Sequence, residues 1–408
     1  MVLMFDSLRS VARFKKFESS PTKRRLSRVA NIEDLRRLAR HRLPSGVFDY
    51  IDGAAEDERT SARNEAGFAA IGFSPRVLQG NAQIDTSTTL MGRRLPVPLV
   101  LAPTGFTRIA HSEGELAVAR AASRAGLPYT LSTLGTRSIE EVAEVSDGDK
   151  WFQVYVWKDR GLVDEMLHRA ASVGYSTAVI TVDTAMFGRR ERDIRRGFTL
   201  PPQIGLDTII DGIRHPAWSW NFMRAEPILF ANVTGKSVGD GSEAISLASY
   251  VADQMDPGLS WKDIDRFREQ WPGKLTIKGI QTVADAKIAA DRGVDAVILS
   301  NHGGRQLDDA PAPIDLLSSV VDTLGGDTEI ILDGGIRRGS DVVKAVALGA
   351  KACMIGRAYL YGLAVAGEQG VDFVLEHLAE GVERTLALIG CHSAEVLGPE
   401  YLERLERT

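Results

Sequence analysis

One six-residue run in this chain carries more chemistry than any other: Ser300-Asn301-His302-Gly303-Gly304-Arg305. A histidine exchanges a proton near neutral pH, and an arginine three residues on can meet a carboxylate bidentately. That pairing suits a reaction in which an acid group is anchored while a neighbouring hydroxyl loses its proton, as when a hydroxy acid is oxidised. A lone histidine is more often structural. His302 is distinguished by its place: of seven histidines it alone closes an apolar run with an arginine three residues later. His111 stands before a helix start, and His41, His168, His215, His377 and His392 lie in polar or helical contexts. Asp183 closes another apolar run, where its carboxylate could hold the imidazole and stabilise its charged form.

Two further stretches suggest an anion. Asp333-Gly334-Gly335-Ile336-Arg337-Arg338-Gly339 and Ile355-Gly356-Arg357 each follow an apolar run. Glycines let backbone amides approach a phosphate, and arginine adds charge-assisted hydrogen bonds. Lys278, in Thr276-Ile277-Lys278-Gly279, also ends such a run. It could form a Schiff base, or place fixed positive charge beside a cofactor that becomes anionic on reduction. The residues alone leave both readings open.

These groups need a scaffold that gathers strand ends. Short apolar runs recur at Pro98–Ala102, Pro128–Ser132, Trp151–Tyr155, Ala178–Asp183, Leu275–Lys278, Ala296–Ser300, Ile330–Asp333 and Ala352–Ile355. Each reads as a strand buried on both faces, as a parallel sheet requires. Between them lie helical patterns, with capping boxes expected at Ser112–Glu115 and Thr282–Asp285. Successive run ends fall 30, 23, 28, 95, 22, 33 and 22 residues apart, six of the seven fitting one βα unit. Eight such units predict an α/β (β/α)8 barrel, whose active site lies at the C-terminal ends of its strands. The phosphate loops would then follow strands 7 and 8, where barrels commonly bind phosphate.

The long spacing predicts an insertion after strand 4, at about 199–260. It carries Trp218, Trp220, Phe222, Met223 and the run Ile228-Leu229-Phe230, suited to a flap, a subunit contact or a membrane contact. Gly235-Lys236-Ser237 lacks the leading glycine of a P-loop. Gly239-Asp240-Gly241 has no βαβ unit around it, so both are read as loop glycines.

The 408 residues are 44% hydrophobic and 25% charged, ordinary for a globular chain. A net charge of −5 argues against a nucleic-acid partner. Cys353 and Cys391 cannot build a disulfide framework or a spaced metal site, so no metal is expected and a cytoplasmic setting is. No apolar run reaches the ~18–20 residues of a membrane span, and no secretory signal is legible. Residues 1–30 form a basic extension before the barrel, with Arg9, Arg13, Lys15, Lys16, Lys23, Arg24, Arg25 and Arg28 against Asp6 and Glu18. A solvated arm that packs on a neighbouring subunit is the expected state of this extension, with an amphipathic helix touching anionic lipid as the alternative. The barrel is expected over 31–408.

Val47-Phe48-Asp49-Tyr50, Gly53-Ala54-Ala55-Glu56-Asp57, Ala102-Pro103-Thr104-Gly105, Gln153-Val154-Tyr155, Thr181-Val182-Asp183-Thr184, Lys278-Gly279, Ser300 to Asp308 and Asp333 to Arg337 together resemble the FMN-dependent 2-hydroxy-acid dehydrogenase and oxidase family. The resemblance spans about Asn31 to Leu397, and the insertion looks most like the quinone-linked L-lactate dehydrogenase branch. It implies FMN as cofactor, His302 as base with Asp183 behind it, and Tyr155 on the substrate oxygen. Tyr50, Arg190 and Arg305 would grip the carboxylate. Pro103, Thr104, Gly105, Ser132, Gln153, Thr181 and Ser300 would contact the flavin, with Lys278 stabilising its reduced form. Asp333, Gly335, Arg337, Gly356 and Arg357 would hold the ribityl chain and phosphate.

The resemblance also implies a homotetramer, a quinone or other electron acceptor, and contact with the inner face of the membrane. Glycolate oxidases have alanine where this chain has Gly105 and tryptophan where it has Leu134, so a larger pocket is expected here. The ~30 residues before the barrel are too few for a haem domain. L-lactate is thus the expected substrate, with mandelate or another larger acid as an alternative. A maturase of modified peptides and a non-redox FMN isomerase are further alternatives. The intact Tyr50, His302 and Arg305 set favours a free hydroxy acid over either.

Overall fold

The computed structural model describes residues 18–197, 205–228, 230–233, 253–326 and 328–405. Chain contacts divide it into residues 1–30 and 31–408. In the first unit a short helix, Pro21–Leu26, starts on a Ser20 cap whose side chain accepts from the Lys23 amide. The basic positions before residue 18 lie outside the described residues.

The second unit is built on eight parallel strands that close into a barrel: β1 (Leu99–Leu101), β2 (Tyr129–Ser132), β3 (Lys150–Tyr155), β4 (Thr177–Thr181), β5 (Lys274–Ile280), β6 (Ala296–Leu299), β7 (Glu329–Asp333) and β8 (Ala352–Ile355). All eight coincide with the runs expected from sequence, because a strand buried on both faces reads as a near-continuous apolar run. The barrel interior packs Val100, Trp151, Val179, Ile298, Ile331 and Met354 against one another. Trp151 is 1% exposed, so its truncation to alanine would cost about 3–5 kcal/mol.

An antiparallel ribbon, Thr88–Leu90 with Arg93–Leu95, forms the floor. Its Leu90 and Leu95 join the interior cluster. Met91 N donates to Glu329 Oε2 at the start of β7, and Thr88 Oγ1 to the Lys351 carbonyl just before β8. The N-terminal end is thereby plugged, leaving the C-terminal end for a site.

Thr282 caps its helix by accepting from the Asp285 amide, but the box is incomplete: the Asp285 carboxylate accepts from the Thr282 hydroxyl instead of the Thr282 amide. The box at Ser112 does not form. Glu113 takes the cap position without a side-chain bond, and Glu115 turns inward to accept from the amide and hydroxyl of Thr136. Burial pushes the Glu115 carboxyl up, and those two donors offset part of the cost.

The insertion after β4 contains two described helices, Leu206–Arg214 and Pro216–Arg224. Leu206, Ile209, Ile210 and Ile213 lie on one exposed face of the first, at helical spacing. Asp211, on the same helix, accepts from the Ser45 amide and so ties it to the barrel unit. Trp220 and Phe222 are exposed, but Trp218 is half-buried and donates its indole N–H to the Ile109 carbonyl. The Gly235 and Gly239 motifs lie outside the described residues. Among the described residues no helix is long and apolar enough to cross a membrane.

Candidate active site

Register places the polar strand ends side by side. Ser132 pairs with Gln153 across β2 and β3, Tyr155 with Thr181 across β3 and β4, and Thr181 with Lys278 across β4 and β5. Above them opens a cavity of about 430 Å³, within the ~300–1,000 Å³ usual for cofactor and substrate sites. Tyr50, Pro103, Thr104, Gly105, Gln153, Tyr155, Thr181, Arg190, Lys278, His302, Arg305, Asp333, Gly335, Arg337, Gly356 and Arg357 all line it.

Three expected site residues stand behind this lining. Ser132 donates to Gln153 Oε1 at 2.9 Å, and Gln153 Nε2 donates to Thr181 Oγ1 at 2.9 Å, so the serine orients the amide that faces the cavity. Ser300 accepts from Lys278 Nζ at 2.7 Å and donates to Asp333 Oδ2 at 2.7 Å. Lys278 also pairs directly with Asp333, which balances its buried charge. Asp183 is the third, and it sits behind His302.

The turn that carries His302 is left-handed at three successive residues: His302 (φ 58), Gly303 (φ 65) and Gly304 (φ 76). For a histidine this conformation is costly, by about 1–3 kcal/mol, so the surroundings must impose it. Asn301 does so, accepting from the Gly304 amide while exchanging two side-chain bonds with Asn64. The His302 amide is held by Ser300 Oγ at 3.0 Å. The ring then places Nδ1 3.1 Å from Asp183 Oδ1 and Nε2 3.4 Å from the Tyr155 hydroxyl.

Gly279 makes room for the acid. Its φ is +106, and a β-carbon there would fall 2.7 Å from Asp183 Cγ. Burial would raise the Asp183 carboxyl, but His302 foremost and Lys278 after it hold it below its ordinary range. Asp183 is thus an anion facing the imidazole. Burial and the nearby Asp183 charge push the Tyr155 phenol up, keeping it a neutral hydroxyl.

Two guanidinium groups flank the Tyr50 ring, Arg190 at 5.3 Å and Arg305 at 5.2 Å from its centroid. Arg305 is fixed by the carbonyls of Tyr50 and Gly53, at 2.8 and 2.9 Å. Arg190 is held by Asp193 at 2.8 Å. Burial and the like charge of Arg190 lower Arg305 to about 10.

At the loops after β7 and β8, Gly335 has φ +81, and a β-carbon would lie 2.3 Å from the Asn64 carbonyl oxygen. Its glycine therefore serves close packing as well as the turn. The Arg357 side chain spends three donors on the carbonyls of Ile51, Gly303 and Gly53. What it offers the cavity is chiefly charge and the N-terminus of helix Arg357–Ala366. Glycine backbone, a helix start and basic side chains in one cavity with buried Gln153, Thr181 and Lys278 fit a phosphate-bearing cofactor with a polar ring system.

Sequence reading missed Asp193, Phe106 and Phe230, which also line the cavity. Asp193 was legible only as part of a charged run, and the two phenylalanines only as apolar positions.

The model of the FMN-dependent dehydrogenase family matches residues 39–404. A protein of Mycobacterium tuberculosis assigned as an L-lactate dehydrogenase is 44% identical over 403 residues, which cover 98% of this chain and 95% of the relative. The (S)-mandelate dehydrogenase of Pseudomonas putida is 42% identical over 91% of this chain and 93% of its own. The L-lactate oxidase of Nostoc is 40% identical over 92% and 99%. Among solved structures, the monotopic membrane protein (S)-mandelate dehydrogenase superposes with a TM-score of 0.88 at 41% identity, covering 92% of this chain and all of that one. A mandelate oxidase superposes with a TM-score of 0.79 at 35% identity, covering 92% and 98%. With the family model spanning nearly the whole barrel unit and relatives this similar along their full lengths, the chain belongs to the FMN-dependent dehydrogenase family and is an oxidoreductase that works through FMN.

Proposed function

We propose that the protein oxidises an L-2-hydroxy acid, with L-lactate to pyruvate as its main reaction, and passes the electrons to a quinone or other acceptor. The observation that carries this reading is His302, paired with Asp183 at 3.1 Å and lining the same cavity as Arg190, Arg305 and Tyr50. The two guanidinium groups bind the substrate carboxylate, Arg305 preset by its backbone bonds and Arg190 by Asp193. His302 Nε2 takes the proton of the 2-hydroxyl, and the Asp183 anion stabilises the imidazolium that results. The Tyr155 hydroxyl, beside Nε2, bonds the same substrate oxygen. Bound FMN supplies the two-electron acceptor chemistry. Pro103, Thr104, Gly105, Gln153 and Thr181 would hold its ring, with Ser132 and Ser300 acting through Gln153 and Lys278. Lys278 places positive charge beside it, while Asp333, Gly335, Arg337, Gly356 and Arg357 would hold the ribityl phosphate.

A larger acid such as mandelate is the second reading. It is favoured by Gly105, which lines the cavity without a β-carbon; one added there would crowd Leu134 Cβ at 3.1 Å. Anaerobic mixing of the yellow protein with L-lactate, glycolate and L-mandelate separates the readings, since only a substrate bleaches the flavin. A protein bleached by none of them would refute both.

Membrane contact is part of the same proposal. The face Leu206, Ile209, Ile210 and Ile213, with Trp220 and Phe222 on the next helix, suits insertion at the lipid interface, with Arg214 and Arg224 beside it for headgroups. The contact would be peripheral, on the inner side of the cell membrane, and the protein a homotetramer. Co-sedimentation with anionic vesicles and light scattering test these two points. A protein that stays in the supernatant, or scatters as a monomer, would contradict them.

A further inference from the structure

Beside its polar groups the cavity is walled by Gly105, Phe106, Leu134 and Phe230. Three of these come from the loops after β1 and β2. Phe230 comes from the middle of the insertion, on a limb pinned to the loops after β1 and β2. That limb is fixed on both sides of Phe230. Before it, Arg108 donates to the carbonyls of Glu226 and Pro227, and Arg137 pairs with the Glu226 carboxylate at 2.7 Å. After it, the Ala231 amide donates to the Gly135 carbonyl, and Asn232 Oδ1 accepts from the Ile139 amide at 2.9 Å.

Phe230 is 3% exposed and meets Phe106 edge-on, with ring centroids 4.6 Å apart and planes at 83°. Phe106 has φ 58, a left-handed conformation that a bulky side chain adopts only under constraint. Its ring in turn meets Tyr50 edge-on at 6.4 Å. One aromatic surface therefore runs from the insertion to the tyrosine between the two carboxylate-binding arginines.

We propose that Phe230 is a specificity-determining residue. Seated on Phe106, it closes the wall that receives the substituent on the substrate's hydroxyl-bearing carbon, and it restricts that substituent to a small apolar group. The inference rests on the 2-hydroxy-acid reading given above. None of the four wall side chains carries a hydrogen-bonding group, so a charged or hydroxylated substituent would be desolvated there without a partner. The limb's anchors are independent of the insertion's exposed face, so the insertion has two separable parts.

The test is kcat/KM for flavin reduction by L-lactate, L-mandelate and L-malate in the wild type, Phe230→Ala and Phe230→Trp, with FMN content measured for each. The ratio of L-mandelate to L-lactate should rise about tenfold or more in the alanine variant, the scale on which a pocket reads added volume. It should fall in the tryptophan variant, and L-malate should gain in neither. Ratios unchanged in both variants, or a gain for L-malate, would overturn the assignment. If the alanine variant loses its FMN, the tryptophan variant decides alone, by whether its ratio falls. A wild type that no 2-hydroxy acid reduces would instead remove the underlying reading, and this inference with it.

Discussion

His302 Nδ1 and Asp183 Oδ1 lie 3.1 Å apart although 119 residues of chain separate them. The contact joins the loop after β6 to the end of β4, and Gly279 on the intervening β5 leaves the space for it. Asp183→Asn keeps the shape but removes the anion that stabilises a protonated imidazole. Anaerobic stopped-flow reduction should slow by about 10²–10⁴-fold. FMN content should stay normal, since Asp183 does not line the cavity. A rate within a few-fold of wild type would show that the carboxylate is structural.

His302→Ala removes the base itself. Reduction should fall by ~10²–10⁴-fold or more with FMN retained, as a positioned acid–base group contributes on that scale. The same stopped-flow trace measures it, and near-normal reduction would refute the role.

Both residues were legible in the sequence, as were all eight strands, for one physical reason. A barrel strand is a near-continuous apolar run, so the polar residues at its C-terminal end mark the mouth where chemistry is done. Choices among partners were less legible. Ser112 and Glu115 have the spacing of a capping box, yet Glu115 turns to Thr136, which lies on a different loop. Arg357 follows a glycine as a phosphate ligand would, yet its guanidinium serves three carbonyls. The face Leu206, Ile209, Ile210 and Ile213 has a clear helical period, but a period alone does not say whether an apolar face is covered or exposed. Phe230 was visible only as part of an apolar run, because its value depends on how the insertion is anchored against the barrel loops.

Arg305→Lys tests geometry against charge. Arginine Nη1 bridges the Tyr50 and Gly53 carbonyls while the rest of the fork faces the cavity. Lysine keeps the charge but not the bidentate fork. A large loss in kcat/KM is expected, with FMN still bound. An unchanged value would mean that Arg190 holds the carboxylate without it.

Asp52, two residues from Tyr50, should govern acid stability. Its side chain is 3% exposed and is bonded by Arg36, Arg192 and the Tyr361 hydroxyl. Burial alone would raise the carboxyl, but Arg36 first, then Tyr361 and Arg192, hold it well below the ordinary carboxylate range. A folded-state value below the unfolded one gives stability that is fully present above about pH 4 and lost as pH falls toward the folded value. Asp52→Asn should therefore cost about 3–5 kcal/mol at neutral pH. The lower end is expected, because Arg36 is 39% exposed. Urea unfolding at several pH values should also show a shallower acid decline in the variant. Equal declines would place the acid sensitivity elsewhere.

The most direct measurement is anaerobic mixing of the purified protein with L-lactate and, separately, D-lactate, following the flavin absorbance. L-lactate should bleach the flavin and D-lactate should leave it yellow, because the carboxylate is held by Arg190 and Arg305 while His302 reaches the hydroxyl on one face only. Bleaching by both isomers at the same rate, or a flavin that stays oxidised with L-lactate and every other L-2-hydroxy acid, would contradict it.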